Sequence, residues 1–198
     1  MLELYEKSGR VEAGCDEAGR GCLAGPVVAA AVILDPKRPI EALNDSKQLS
    51  EKRRNELRLL IEDRALAWKV VFMSPQKIDE INILNASLEG MHEAALGLKK
   101  QPEHLLIDGN RFVKNTAFSF SCMIKGDARF QSIAAASILA KTHRDEFMKK
   151  IDLEFPDYKW CKNKGYPTKA HRQAIAKNGP SEHHRMSFKL LPDQLSLF

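Results

Sequence analysis

The chain has 198 residues and a mass of 22.3 kDa, a length that one hydrophobic core can serve, so we expect a single domain. Hydrophobic residues make up 43% and charged residues 29%, values that exclude a disordered chain. The longest run without a charged residue covers only the 14 positions from Gly21 to Leu34, and a membrane-spanning helix needs ~18. The composition therefore predicts a soluble globular protein.

The charge is unevenly distributed along the chain. The net charge is +5, yet residues 125–189 hold 14 basic and 7 acidic side chains, which leaves 17 basic against 19 acidic elsewhere. This basic surplus indicates a polyanionic partner, although a solvated lysine-rich surface explains it equally well. The cysteines form no CxxC pair, which favours the reducing cytoplasm as location: Cys15, Cys22, Cys122 and Cys161.

The hydrophobic pattern predicts an α/β fold with a helical C-terminal extension. In chain order, the predicted elements are strands over 11–17 and 26–34, a helix over 51–64, a strand over 68–73, helices over 75–80 and 85–100, strands over 104–107 and 118–124, and a helix over 128–150. The first two strands are expected to form a hairpin, and Ser50 and Pro75 stand where helices begin. After residue 150, prolines and glycines predict short helices and loops.

Two acids, Asp16 and Glu17, end the first predicted strand beside a glycine-rich corner. Gly19 and Gly21 permit either a tight turn or the close approach of a ligand to the backbone. A dinucleotide-binding glycine loop would open a helix, whereas here Pro26 and an apolar run predict a strand. A bound cation is the better interpretation, since two carboxylates would repel a pyrophosphate.

Two further acids fall at the ends of predicted elements. Asp108 ends an apolar strand, and Asp127 begins the long helix. Each has a local explanation, a turn for Asp108 and a helix cap for Asp127. Together the four acids suit Mg²⁺ or Mn²⁺, which prefer oxygen ligands. Neighbouring strand residues point to opposite faces, so Asp16 and Glu17 reach one site only if the strand breaks there.

Six motifs follow one another along residues 10–189 in an order that resembles bacterial ribonuclease HII. They are DEAGRG at 16–21, NDSK at 44–47, IDGN at 107–110, KGD with SIAAASILAK at 125–141, KGYPT at 164–168 and EHHR at 182–185. The resemblance implies a ribonuclease H-like fold, with a five-stranded mixed sheet flanked by helices. One position departs from the family pattern, because Met186 stands where a second arginine usually follows EHHR.

The resemblance also implies an activity and its site. Family members cleave the RNA strand of RNA-DNA hybrids and incise at single ribonucleotides in duplex DNA, with a 5′-phosphate and a 3′-hydroxyl as products. The implied metal ligands, for two Mg²⁺ or Mn²⁺ ions in the substrate complex, are Asp16, Glu17, Asp108 and Asp127. The implied 2′-hydroxyl readers are Gly19, Arg20, Gly21 and Tyr166. The implied phosphate contacts are Ser46, Lys47, His184 and Arg185.

Three alternatives explain the sequence less well. Ribonuclease HIII carries an extra N-terminal domain, and only about ten residues precede the first predicted strand. A non-catalytic basic nucleic-acid-binding module would be weakened by four uncompensated carboxylates. A phosphatase for small molecules would need a compact phosphate pocket, and only the glycine corner resembles one.

We expect residues 1–189 to form the catalytic domain and residues 190–198 a flexible tail. The tail resembles the peptide by which bacterial repair proteins dock on the DNA polymerase sliding clamp, through Gln194, Leu195, Leu197 and Phe198. The alternative is that these side chains pack on their own domain. We expect a cytoplasmic monomer.

Overall fold

A computed structural model describes residues 2–191, in which a five-stranded mixed sheet forms the centre. The strands are β1 (Glu12–Ala18), β2 (Val27–Ile33), β3 (Ala67–Met73), β4 (His104–Asp108) and β5 (Phe120–Met123). Their order across the sheet is β3-β2-β1-β4-β5. The first three strands in the chain pair antiparallel as a meander, whereas β1 with β4 and β4 with β5 pair in parallel. The predicted hairpin and the predicted mixed sheet are both confirmed.

Helices cover both faces of the sheet. They are α1 (Glu51–Arg64), α2 (Pro75–Leu96), α3 (Gln131–Asp152), α4 (Trp160–Asn163) and α5 (Lys169–Asn178). Every residue of β2 is buried, and its side chains alternate between the two faces. Ala29 and Ala31 pack toward α2, while Ala30 and Val32 pack toward α1 and α3. These small residues allow the helices to lie close to the sheet.

The helix boundaries agree with the sequence pattern at most positions. The hydroxyl of Ser50 accepts the Arg53 N–H at 3.2 Å and caps α1. The two helices predicted between residues 75 and 100 form α2, with a sharp break at Asn82, whose φ is +65°. The predicted start of the long helix at residue 128 is wrong, because a 3-10 turn occupies Gly126–Ala128 and α3 begins only at Gln131.

The C-terminal part of the chain, residues 153–191, folds back onto the corner between β1 and β2. Its apolar residues form one cluster with Leu23 and Met148, and a β-bridge joins Ala24 to His184. Leu190 is buried in this cluster, so the packed region extends beyond the predicted boundary at residue 189. The four residues of the clamp-binding prediction lie outside the described residues. Among residues 2–191, the helices are too short or too polar to cross a membrane.

Candidate active site

The ends of the two central parallel strands bring Asp16 and Asp108 side by side. The pairing of β1 with β4 runs from Glu12 opposite His104 to Cys15 opposite Ile107. Asp16 and Asp108 are the next residues of the two strands, at the carboxyl edge of the sheet. Parallel strands pair in register, so the two carboxylates emerge at the same edge.

The strand β1 does not break at Glu17, contrary to the condition set by the sequence. It stays paired with β2 through Ala18, but its pairing with β4 stops after Cys15. The Glu17 N–H donates to Oδ1 of Asp16 at 2.7 Å. Besides burial, the charge of Asp108 acts on both Asp16 and Glu17 and raises the pKa of each. The carboxylates of Asp16 and Glu17 are therefore both within the electrostatic reach of Asp108, at the point where β1 separates from β4.

Asp127 reaches the same edge from the 3-10 turn that follows β5. The turn is fixed by the Gly126 N–H, which donates to Oδ1 of Asp108 at 2.7 Å. Asp127 is buried, and its Oδ2 lies 3.1 Å from Nζ of Lys47, whose side chain is 78% exposed. We call Asp16, Glu17, Asp108 and Asp127 the acidic edge.

Burial and mutual repulsion make the charged forms of these acids unfavourable. Burial raises the pKa of Asp16 well above its ordinary value, and the charges of Glu17 and Asp108 raise it further. Burial also raises the pKa of Glu17, against the opposing effect of Arg20. The pKa of Asp108 rises through burial and the charge of Asp127, although the Gly126 N–H opposes this. A divalent cation would relieve this repulsion.

The chemistry of the acidic edge fits magnesium or manganese. Its donors are all carboxylate oxygens, which hard divalent cations prefer. The Oε2 atom of Glu17 is buried and has no hydrogen-bond partner, so it is available as a ligand. Within residues 2–191, no three of the acid, histidine or cysteine side chains stand close enough to hold one ion as they are. Nζ of Lys47 forms an ion pair with the carboxylate of Asp127. Lys47 and the four acids would therefore have to move for a metal to bind.

Two serines, Ser46 and Ser137, support the acidic edge from the side of α3. Ser137 of α3 hydrogen-bonds the carboxylate of Asp16, and its Oγ lies 2.9 Å from Oγ of Ser46. Ser46 is buried beside Ser137, and its role as a phosphate contact stays a prediction. Ser137 was not predicted, although a serine on the buried alanine face of a helix is a usable signal.

Gly19 and Gly21 are glycines for different reasons. Gly19 has a φ of +95°, and a Cβ there would lie 2.0 Å from Nε of Arg144. Gly21 needs no left-handed backbone, and a Cβ there would meet nothing within 4 Å. The fold therefore requires Gly19, whereas Gly21 leaves open space at the surface. Arg20 is half-exposed and lies 3.2 Å from Oε1 of Glu17.

Two fully buried arginines support the segment 19–26, which we call the glycine corner. Arg185 donates to the carbonyls of Gly19 and Arg20 at 2.8 Å and of Gly25 at 3.0 Å. Its predicted role as a phosphate contact is corrected, since no part of it is exposed. Arg144 of α3 supports the corner similarly, and the sequence analysis missed it. An arginine on the buried face of an apolar helix was the available signal.

Tyr166 lies beside the glycine corner and is 38% exposed as a residue. The ring hydrogen-bonds Cys22 through its hydroxyl, and Nζ of Lys141 lies 5.7 Å from the ring centroid. The carbonyl of Tyr166 accepts the Thr168 N–H at 2.8 Å and contacts Nδ1 of His171 at 3.0 Å. The backbone of Tyr166 is thus held by two hydrogen-bonding partners, while the residue stays partly exposed.

His184 forms the base of this support rather than the predicted phosphate contact. It is buried, its Nε2 lies 3.3 Å from Nε2 of His171, and its Nδ1 accepts the Ser181 N–H at 2.9 Å. Burial and the neighbouring His171 lower the pKa of His184 to about 4. His184 is therefore neutral at physiological pH and is committed to its two neighbours.

Four carboxylates at the end of a mixed sheet, beside an open glycine backbone and a half-exposed tyrosine, define the class of metal-dependent nucleases. The family model of ribonuclease HII matches residues 13–191. The chain belongs to the ribonuclease HII family, whose members are metal-dependent endoribonucleases.

Full-length relatives and solved structures agree with this assignment. The chain is 61% identical over 199 residues to the ribonuclease HII of Bacteroides fragilis and 58% identical over 197 residues to that of Parabacteroides distasonis. Each alignment covers 100% of this chain and 99% of the relative. Among solved structures, ribonuclease HII of Archaeoglobus fulgidus in complex with PCNA has a TM-score of 0.78 at 29% identity, with 95% of this chain and 100% of that chain covered.

Proposed function

We propose that this protein hydrolyses the RNA strand of RNA-DNA hybrids and also incises at single ribonucleotides embedded in duplex DNA. The observation that carries the proposal is the acidic edge, where Asp16 and Asp108 end neighbouring parallel strands and the charges of Glu17 and Asp127 act on them. Incision is expected to leave a 5′-phosphate on the ribonucleotide and a 3′-hydroxyl upstream. The identity to ribonucleases HII over the whole chain supports the same substrate class.

The acidic edge would hold the metal, two Mg²⁺ or Mn²⁺ ions in the substrate complex. The chemistry that such ions would supply is activation of a water nucleophile and stabilisation of the leaving 3′-oxygen. The protein supplies the orientation of the ligands: Ser137 holds the carboxylate of Asp16, and Gly126 holds that of Asp108. Lys47 keeps a positive charge beside Asp127 in the metal-free protein and is free to turn to a substrate phosphate once Asp127 binds metal.

Recognition of the ribonucleotide is assigned to Gly19, Arg20, Gly21 and Tyr166. The 2′-hydroxyl is the group that separates RNA from DNA, and exposed backbone can hydrogen-bond to it. Gly21 suits this role because neither its conformation nor its packing requires glycine, so the missing side chain leaves room for a sugar. Tyr166 is partly exposed, and its ring would stack on the next deoxyribose.

Cleavage of three end-labelled duplexes tests the proposal. A DNA duplex with one ribonucleotide and a continuous RNA-DNA hybrid should both be cut in Mg²⁺ or Mn²⁺, and an all-DNA duplex of the same sequence should remain intact. Products ending in a 3′-hydroxyl at the ribonucleotide junction are expected. Cleavage of the all-DNA duplex would contradict the proposal, and so would a failure to cleave any of the three duplexes.

We also propose that the C-terminal peptide docks on a sliding clamp through Gln194, Leu195, Leu197 and Phe198. Support comes from the peptide sequence and from the ribonuclease HII of Archaeoglobus fulgidus, whose structure was solved in complex with PCNA. Tethering would concentrate the enzyme at newly made DNA, in the cytoplasm of the cell. Deletion of residues 194–198 should abolish clamp binding in a titration and leave cleavage of short duplexes unchanged. Equal clamp binding with and without the peptide would contradict docking.

A further inference from the structure

Two arginines outside the acidic edge stand out because they are completely buried and their hydrogen bonds go only to backbone carbonyls. Each guanidinium also lies over an aromatic ring, Arg144 at 5.9 Å from the centroid of Tyr166 and Arg185 at 5.2 Å from that of Phe188. The guanidinium of Arg144 donates to the carbonyls of Pro26 at 2.9 Å, Lys164 at 2.8 Å and Ala24 at 3.0 Å. Arg185 uses all three of its nitrogens in the same way on the glycine corner. Arg144 thereby ties the corner to the segment that carries Tyr166, and Arg185 holds the corner itself.

Neither guanidinium forms an ion pair with a carboxylate among the described residues. Asp79 raises the pKa of Arg185, but its oxygens accept the N–H groups of Met186 and Ser187 at 2.9 and 3.0 Å. Burial and the charge of Arg144 lower the pKa of Arg185 to about 10. Two buried cations that repel each other without an anion are costly. An anionic ligand bound nearby would lower this cost.

The bonds to Arg185 also determine where the corner can bind that ligand. The described peptides are trans, so each N–H points away from the carbonyl of the same peptide unit. With the carbonyls of Gly19 and Arg20 directed at Arg185, the N–H groups of Arg20 and Gly21 point to the opposite side. Within residues 2–191 these two N–H groups donate to no acceptor. Successive free N–H groups are a binding site for a negative or hydroxyl oxygen.

We propose that Arg144 and Arg185 form a buried two-cation base that aims the free N–H groups of the glycine corner and supplies the positive charge for a phosphate next to the ribonucleotide. Both are positioning residues, since neither reaches the surface. The inference rests on the proposed function and extends it. It also explains why the corner excludes a Cβ at Gly19, whose place is taken by Arg144.

Binding measured without cleavage separates this role from catalysis. In an Asp108→Asn background, fluorescence anisotropy compares a duplex with one ribonucleotide against the all-DNA duplex. Arg185→Met should lose the preference for the ribonucleotide, with about tenfold weaker binding of that duplex, because hydrogen bonds made by a charged group are lost. It should also lower the salt dependence of binding by roughly one phosphate contact. Arg144→Met should show the same pattern.

Conservative variants divide charge from geometry. Arg185→Lys and Arg144→Lys keep the charge but cannot hold three carbonyls, so each should keep the salt dependence and lose the ribonucleotide preference. The matched control is Arg172→Met, since Arg172 donates to the carbonyls of Lys189 and Leu190 at the surface of α5. This control should bind like the parent. Thermal unfolding establishes which variants are folded. If a Met variant does not fold, the Lys variant at the same position tests the proposal instead.

The outcomes distinguish the two proposals. If the wild-type protein does not cut the duplex with one ribonucleotide, the proposed function fails. If it does, and the folded Arg144 and Arg185 variants keep both the ribonucleotide preference and the salt dependence, the two-cation base is wrong. A loss as large in Arg172→Met would also overturn it.

Discussion

The acidic edge and the glycine corner satisfy their charged groups in opposite ways. At the acidic edge, three carboxyls have raised pKa values, and the cations beside them, Lys47 and Arg20, belong to largely exposed side chains. At the corner, Arg144 and Arg185 are fully buried and bound to several carbonyls each. Charges at the first region can exchange partners, whereas those at the second cannot.

This difference matches the two tasks of a nuclease that selects its substrate. A metal centre must accept ions that arrive with the substrate, so its resident cations have to leave easily. A recognition surface must keep its shape to tell a ribose from a deoxyribose, so its supports have to be rigid. The comparison predicts that substitutions at the acidic edge change turnover, and that substitutions at the corner change stability and selectivity.

The largest effect is expected at the acidic edge. Asp108→Asn or Asp127→Asn should lower the rate of cleavage by at least about a thousandfold, since a ligand of the metal is lost. Asp108→Asn should not lower the melting temperature, because the raised pKa of Asp108 means that its charge opposes folding. Asp63→Asn, at an exposed acid, is the matched control and should cleave normally. Cleavage near the wild-type rate at saturating Mg²⁺ would remove the substituted acid from the site.

The second effect concerns the buried support of Tyr166 and depends on pH. The pKa of His184 is about 4 in the folded protein, below the ordinary 6.5, so the unfolded chain takes up the proton first. Stability present at neutral pH is lost as the pH falls from 6.5 toward 4, by on the order of 3 kcal/mol. His184→Gln should be less sensitive over this range in urea unfolding. Parallel pH profiles for both proteins would show that His184 titrates normally.

The two glycines of the corner give the third test, as a matched pair. Gly19→Ala should lower the free energy of unfolding by about 2 kcal/mol, because it combines a φ of +95° with a clash against Arg144. Gly21→Ala should change that free energy by less than ~0.5 kcal/mol and still weaken binding of the ribonucleotide duplex. If Gly21→Ala binds normally, the open space at Gly21 is not used by the substrate.

The smallest effect is a change of selectivity at Tyr166. Tyr166→Ala should reduce incision at a single ribonucleotide by about tenfold, the scale of one lost aromatic stacking contact, and reduce hybrid cleavage less. Only the first substrate depends wholly on one RNA-DNA junction. Tyr166→Phe keeps the ring and should retain most of the selectivity. An equal loss on both substrates would indicate that the ring only packs against Cys22 and Lys141.

Local patterns in the sequence were sufficient for most of the fold. An unbroken apolar run predicted β2 as a strand buried on both faces, and an alanine-rich helical face predicted that α3 packs on the sheet. Acids at the ends of apolar strands indicated the metal centre, because the carboxyl ends of parallel strands share an edge. The family motifs contain the same four acids. These features depend on residues close in the sequence, so short-range patterns are enough to predict them.

Only the tertiary structure decided which polar residues face the solvent. Ser46, His184 and Arg185 belong to motifs expected on the substrate side, yet all three are buried. Arg185 meets Gly19 across 166 positions of the chain, and Ser46 meets Ser137 across 91. A sequence pattern reports what a residue can bond to, but the partner depends on which distant segments the fold brings together. For that reason the four acids could be chosen from the sequence, and the buried arginines that support the corner could not.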